Sequence, residues 1–84
     1  MVEKKRFVKD FIEENYETTL EVQRGNFHFV ELYCKGINGY GFSKRNPIDT
    51  LDYDRGRTIA TGRAKKDLLE KIIEYYDTYG CLPA

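Results

Sequence analysis

The sequence predicts an α+β domain in the order α-β-β-β-α, a three-stranded antiparallel meander with two helices. Three observations predict it. Apolar residues recur at helical spacing in the first sixteen residues. They do so again from Ala60 to Tyr79. Between these stretches, alternating residues are punctuated by Gly25-Asn26 and Asn38-Gly39, two turn dipeptides that divide the stretch into three strands. The 84 residues form one domain, 1–84. A chain this short buries only about 60% of its unfolded surface, so a ligand site is expected on the surface, in a groove or between subunits.

The first helix is expected from Glu3 to about Asn15, with Phe7, Val8, Phe11, Ile12 and Tyr16 on one apolar face. Thr18 to Arg24 reads as the first strand, and Phe27 or His28 to Cys34 as the second. Two registers compete here. A two-residue loop sets Leu20 opposite Glu31. A three-residue loop, Gly25-Asn26-Phe27, sets Leu20 opposite Leu32 and Val22 opposite Val30, which matches like with like and is the expected register. Asn38-Gly39 then reads as a type I′ turn with Ile37 facing Tyr40. The third strand runs from Tyr40 to about Arg45, where Asn46-Pro47 ends it, because proline cannot donate to a ladder. The second helix begins between Asp52 and Thr58 and runs to about Tyr79, with Gly80 as its C-terminal cap and Pro83 beyond.

These registers assign Leu20, Val22, Val30, Leu32 and Cys34 to one sheet face. Phe29, Tyr33, Ile37, Tyr40 and Phe42 fall on the other, with Thr19, Glu21, Gln23 and Glu31 among them. One helix per face would cover both. Two helices on one face would leave an aromatic surface suited to a subunit or protein interface, or to base stacking.

Charge adds a second feature. The formal net charge is zero, which gives no sign of simple polyanion binding. The total conceals a basic centre. Ser43 to Lys66 holds seven Lys or Arg against three Asp, while the flanking stretches are neutral or acidic. Arg45, Arg55, Arg57 and Arg63 lie there with Asp49, Asp52 and Asp54. A helix N-terminus offers free N–H groups to an anion, and Gly56 and Gly62 permit close approach. Arg57 and Arg63, backed by Arg45 and Arg55, are therefore candidate phosphate contacts. Tyr40, Phe42 and Tyr53 are candidate base-stacking residues. The alternative is a salt-bridge web in which the aspartates cap the helix and pair with Arg45, Arg55 or Arg57, while Arg63 pairs with Asp67 at i,i+4. Gly56, Ala60 and Ala64, four apart, read as a strip for close packing.

No catalytic residue is assigned. His28 is the sole histidine, and a lone imidazole beside a turn is more often structural than a general base. No set of four metal ligands has zinc spacing, and no cofactor is expected. Cys34 and Cys81 are too isolated for a CxxC site. With no apolar leader or spanning segment in the sequence, the expectation is a cytoplasmic protein with reduced thiols and no membrane partner.

The segment Asn46-Pro47-Ile48-Asp49 followed by Gly56-Arg57-Thr58-Ile59-Ala60-Thr61-Gly62-Arg63-Ala64 resembles small uncharacterised proteins of phages and mobile elements that share an N-P-x-D…G-R-x-I-A-x-G-R-A pattern. The resemblance covers about a quarter of the chain. It implies a non-enzymatic accessory or counter-defence protein in the host cytoplasm, acting by binding. Such a protein sequesters a signalling nucleotide, blocks a defence complex or modulates transcription. The element order is also similar in outline to some small anti-CRISPR proteins. It is similar as well to double-stranded RNA-binding domains, with Lys65-Lys66 near the start of the second helix.

The leading expectation is therefore a homo-oligomeric protein that sequesters a phosphate-bearing ligand such as a signalling nucleotide. A protein-binding inhibitor using the aromatic sheet face or the tyrosines of the second helix (Tyr75, Tyr76 and Tyr79) is the alternative. A nucleic-acid-binding accessory protein is the third reading.

Overall fold

The computed structural model describes residues 2–44 and 53–84. Helix α1 (Val2–Asn15) leads into strands β1 (Glu17–Arg24), β2 (Phe27–Cys34) and β3 (Ile37–Lys44), and helix α2 (Tyr53–Tyr79) follows. The strands form one antiparallel meander with β2 in the centre. The predicted α-β-β-β-α order is the observed one. The expected strand end at Arg45 and Asn46-Pro47 lies outside the described residues.

Both helices sit on the same face of the sheet. Val30, Leu32 and Cys34 of β2 are buried there with Ala60, Ala64, Leu68 and Ile72 of α2 and Val8 and Ile12 of α1. α1 runs antiparallel along α2. Near one end Lys4 pairs with Asp77, and near the other Lys65 reaches Glu13 at 3.0 Å. Phe7 stands outside the core, edge-on to Tyr76 with ring centroids 6.5 Å apart. Gly80 ends α2 with a φ of 73°, and its N–H donates to the Tyr76 carbonyl, as a C-terminal glycine should.

Two turns correct the expected registers. The first loop has two residues, Gly25-Asn26, and Leu20 lies opposite Glu31 and Val22 opposite Phe29. Only Gly25 of that pair has positive φ, 56°, which is the demand a type II′ turn makes on its first central residue. Like-with-like pairing loses because the helices cover β2 and β3, leaving every β1 residue at least partly exposed. With no core above β1, nothing there rewards burying Leu20 and Val22, and the turn geometry decides. A bulge at Thr19 then shifts the register, so that Thr18 meets Leu32.

The second loop is Lys35-Gly36 rather than Asn38-Gly39. Both its residues have positive φ, 50° and 87°, the type I′ pattern. Asn38 and Gly39 lie inside β3, and Ile37 faces Cys34 on the core side. Gly39 is buried beneath α2, where an added Cβ would lie 2.6 Å from the Ala64 carbonyl oxygen. The glycine that reads locally as a turn signal is thus a contact point for the helix backbone.

Candidate functional site

α2 lies unusually close to β3 because both surfaces are made of small residues. Gly39, Gly41 and Ser43 occupy alternate positions on the core side of β3 and are buried. Opposite them run Gly56, Ala60, Ala64 and Leu68 at four-residue spacing. The Ser43 hydroxyl donates to the Gly56 carbonyl at 2.8 Å. The strip predicted from Gly56, Ala60 and Ala64 is therefore a packing surface, and its counterpart in β3 is the Gly39-x-Gly41-x-Ser43 repeat, whose first glycine reads locally as a turn signal.

That packing sets where the candidate arginines go. Arg63 donates from Nη1 to the Phe42 carbonyl at 2.7 Å, capping the outer edge of β3. Its expected partner Asp67 is occupied differently. One carboxylate oxygen accepts from the Tyr40 N–H at 3.0 Å and from Lys71 at 3.0 Å. Burial works against the Asp67 charge, but the Tyr40 N–H and Lys71 outweigh it and hold the carboxyl below its ordinary range. The i,i+4 pair forms, but from Asp67 to Lys71.

Arg57 leans the other way. Its Nε lies 3.6 Å from Glu21 on β1. The same carboxylate oxygen stands 3.0 Å from Nε2 of His28, which is buried. The His28 ring also lies against Gly56, so the imidazole is held under the start of α2. Arg57 and Arg63 thus serve opposite edge strands, with β2 between them and a strand-to-strand span of about 10 Å. They do not converge on one phosphate. Arg55 is exposed at the start of α2 and also has a partner. Arg45, Asp49 and Asp52 lie outside the described residues, as do the side chains of Tyr53 and Asp54.

Tyr40 and Phe42 project from the sheet face away from the helices. They belong to a surface arranged in four rows across the sheet. The first row is Arg24, Phe27 and Lys44, the second Val22, Phe29 and Phe42. The third is Leu20, Glu31 and Tyr40, and the fourth Glu17, Tyr33 and Asn38. Leu20, Phe27, Tyr33, Tyr40 and Phe42 are each 39% to 58% exposed. Phe29 stacks on Tyr40 at 6.1 Å, Lys44 lies over the Phe27 ring at 5.5 Å, and Lys71 reaches over Tyr40 at 4.9 Å. Leu20 and Val22 join this face because of the two-residue turn, and sequence reasoning missed them by choosing the other register. Phe27 was missed because it was assigned to the loop.

Elsewhere, an open depression of about 530 Å³ is lined by Glu14, Tyr16, Glu17, Tyr33, Lys35 and Ala84, among others. Cys34 is buried and Cys81 exposed, both as free thiols. Among the described residues no cluster of three or more His, Cys, Asp or Glu could hold a metal ion, and no helix is long and apolar enough to cross a membrane. Compared with protein families, curated proteins and solved structures, the chain matches none.

Proposed function

We propose that this chain is a small non-enzymatic binding protein that acts by docking on another protein through the open face of its sheet, as a counter-defence inhibitor or adaptor would. The observation that carries this reading is the uncovered face itself. Seven large apolar side chains (Leu20, Val22, Phe27, Phe29, Tyr33, Tyr40 and Phe42) stand together opposite the helices. An apolar surface with charged ends, interrupted by Glu31 in its third row, is the anatomy of a protein interface. The geometry favours this over phosphate sequestration for two reasons. Arg57 and Arg63 engage opposite edges of the sheet, and the aromatic candidates Tyr40 and Phe42 lie on the face turned away from α2. The sole imidazole is buried beside Glu21, which suits a structural role better than proton transfer.

The test separates the two readings. Binding of a purified partner is measured by calorimetry for the native chain, Phe29→Lys and Arg57→Ala, alongside a panel of nucleotides. Docking through the sheet face predicts loss with Phe29→Lys, retention with Arg57→Ala and no heat with nucleotides. A nucleotide that binds the native chain and fails to bind Arg57→Ala would overturn it in favour of the phosphate reading.

A further inference from the structure

The open face is complementary to itself. Arg24 and Lys44 stand at one end beside Phe27, and Glu17 stands at the other beside Tyr33; Glu31 lies between, and Lys71, paired with Asp67, reaches over Tyr40 from α2. Consider a second copy laid face to face about a two-fold axis parallel to the hydrogen-bonding direction. The strand direction reverses while β1 still faces β1 and β3 faces β3. Arg24 then meets Glu17 of the second copy, Val22 meets Leu20, Phe27 meets Tyr33, and Phe42 meets Tyr40. Each contact occurs twice, as an isologous interface requires. A two-fold along the strands instead sets the cationic rows against each other.

The area is sufficient. On this face, the exposed side chains Leu20, Phe27, Tyr33, Tyr40 and Phe42 keep on the order of 500 Å² per chain in contact with water. With the polar residues at both ends, pairing buries about 1,200 Å² in total, the lower end of specific interfaces. Aligned sheets pack about 10 Å apart with strands inclined by about 30°, which fits rings of this size. We infer that the free chain pairs with a second copy of itself through this face, the two sheets packed with their strands antiparallel. This inference rests on the reading of the face as a protein-docking surface. It adds that a partner binds by displacing the second copy.

One residue opposes the pairing. Glu31 lies in the third row, and its carboxylate accepts from the Thr19 hydroxyl at 2.8 Å. In the pair it faces Phe29, where a carboxylate loses water without gaining a cation. Glu31 thus keeps the pair weak enough to exchange.

Sedimentation over a range of about 5 to 500 µM tests the inference, with circular dichroism to verify folding of each variant. The native chain is expected in a monomer–dimer equilibrium with a micromolar dissociation constant, the range expected of a small interface. Phe42→Glu should weaken pairing at least about 100-fold, since it buries an unpaired charge. Glu31→Gln should tighten it. Glu17→Arg and Arg24→Glu should each weaken it about tenfold, and the double exchange should restore it. A native chain that remains monomeric at 500 µM, or an unchanged dimer with Phe42→Glu, overturns the inference. Failure of the double exchange to restore pairing overturns the antiparallel arrangement. Protein docking fails separately, if a purified partner binds Phe29→Lys as it binds the native chain.

Discussion

Gly41 of β3 lies directly beneath Ala60 of α2, so close that a side chain on the glycine would overlap the Ala60 carbonyl oxygen and the Ala64 backbone nitrogen. Neither atom belongs to a flexible side chain, so the helix itself would have to lift. Gly41→Ala should therefore destabilise the fold by about 3 kcal/mol or more, at the upper end of overpacking costs. Gly62, on the same helix, has open space around it and no positive φ. Gly62→Ala should stabilise by roughly 0.5–1 kcal/mol through helix propensity. Urea unfolding of both variants gives opposite signs if α2 packs as described.

Asp67 ties α2 to β3 through the Tyr40 N–H and Lys71. Its carboxyl is held below its ordinary value of 3.8. The folded form therefore favours the ionised group. The associated stability is present above the unfolded value and is lost as pH falls through the folded one. Asp67→Asn should destabilise the fold at neutral pH by under about 1 kcal/mol, the range for a partly exposed group, seen as a small drop in Tm. The gap between the two proteins should shrink as pH drops below about 4. Thermal melts between pH 2 and 7 check this.

Glu21 is the hydrogen-bond partner of the buried His28 imidazole. Glu21→Ala leaves that ring nitrogen without its partner and costs about 1–3 kcal/mol, the penalty for an unsatisfied buried polar group. Glu21→Gln keeps an acceptor in place and should cost less. Chemical denaturation of the two variants distinguishes a structural pair from an ornamental surface contact.

The two thiols should behave differently. Burial raises the Cys34 thiol above its ordinary value, only partly offset by the neighbouring Lys35. Cys81 is exposed. A thiol reagent under native conditions should modify one cysteine promptly, and the second only on the timescale of unfolding. Two equal fast phases would place Cys34 outside the core.

Much of the fold was legible before the structure. The apolar stripe of Ala60, Ala64, Leu68 and Ile72 and the cap at Gly80 specify α2, because helix periodicity and termination are local properties. The site was less legible. Whether Leu20 and Val22 belong to the core or to the open face depends on a one-residue choice of loop length, and in a strand that choice reverses every side chain. The local matching of Leu20 with Leu32 outvotes the correct register only if β1 is assumed to lie under a helix. Arg57 and Arg63 both follow a glycine, and their six-residue spacing, a turn of about 600°, already sets them on different helix faces in sequence. What each one meets, Glu21 on β1 and the Phe42 carbonyl on β3, is visible only in space.

The elements and their order, the antiparallel meander and the small-residue strip of α2 can all be read from the chain alone. Periodicity, turn residues and caps act over a few positions and need no knowledge of what lies across the core. That both helices share one face and that Gly39 and Gly41 receive α2 emerges only when the elements pack. So does the placing of Leu20, Val22 and Phe27 with Phe29, Tyr33, Tyr40 and Phe42 on the face left open. The last of these follows from the two-residue turn, while the seating of α2 turns on how closely a helix backbone can approach a strand. The approach is permitted by missing side chains on both partners at once, a property of the pair that neither segment carries alone.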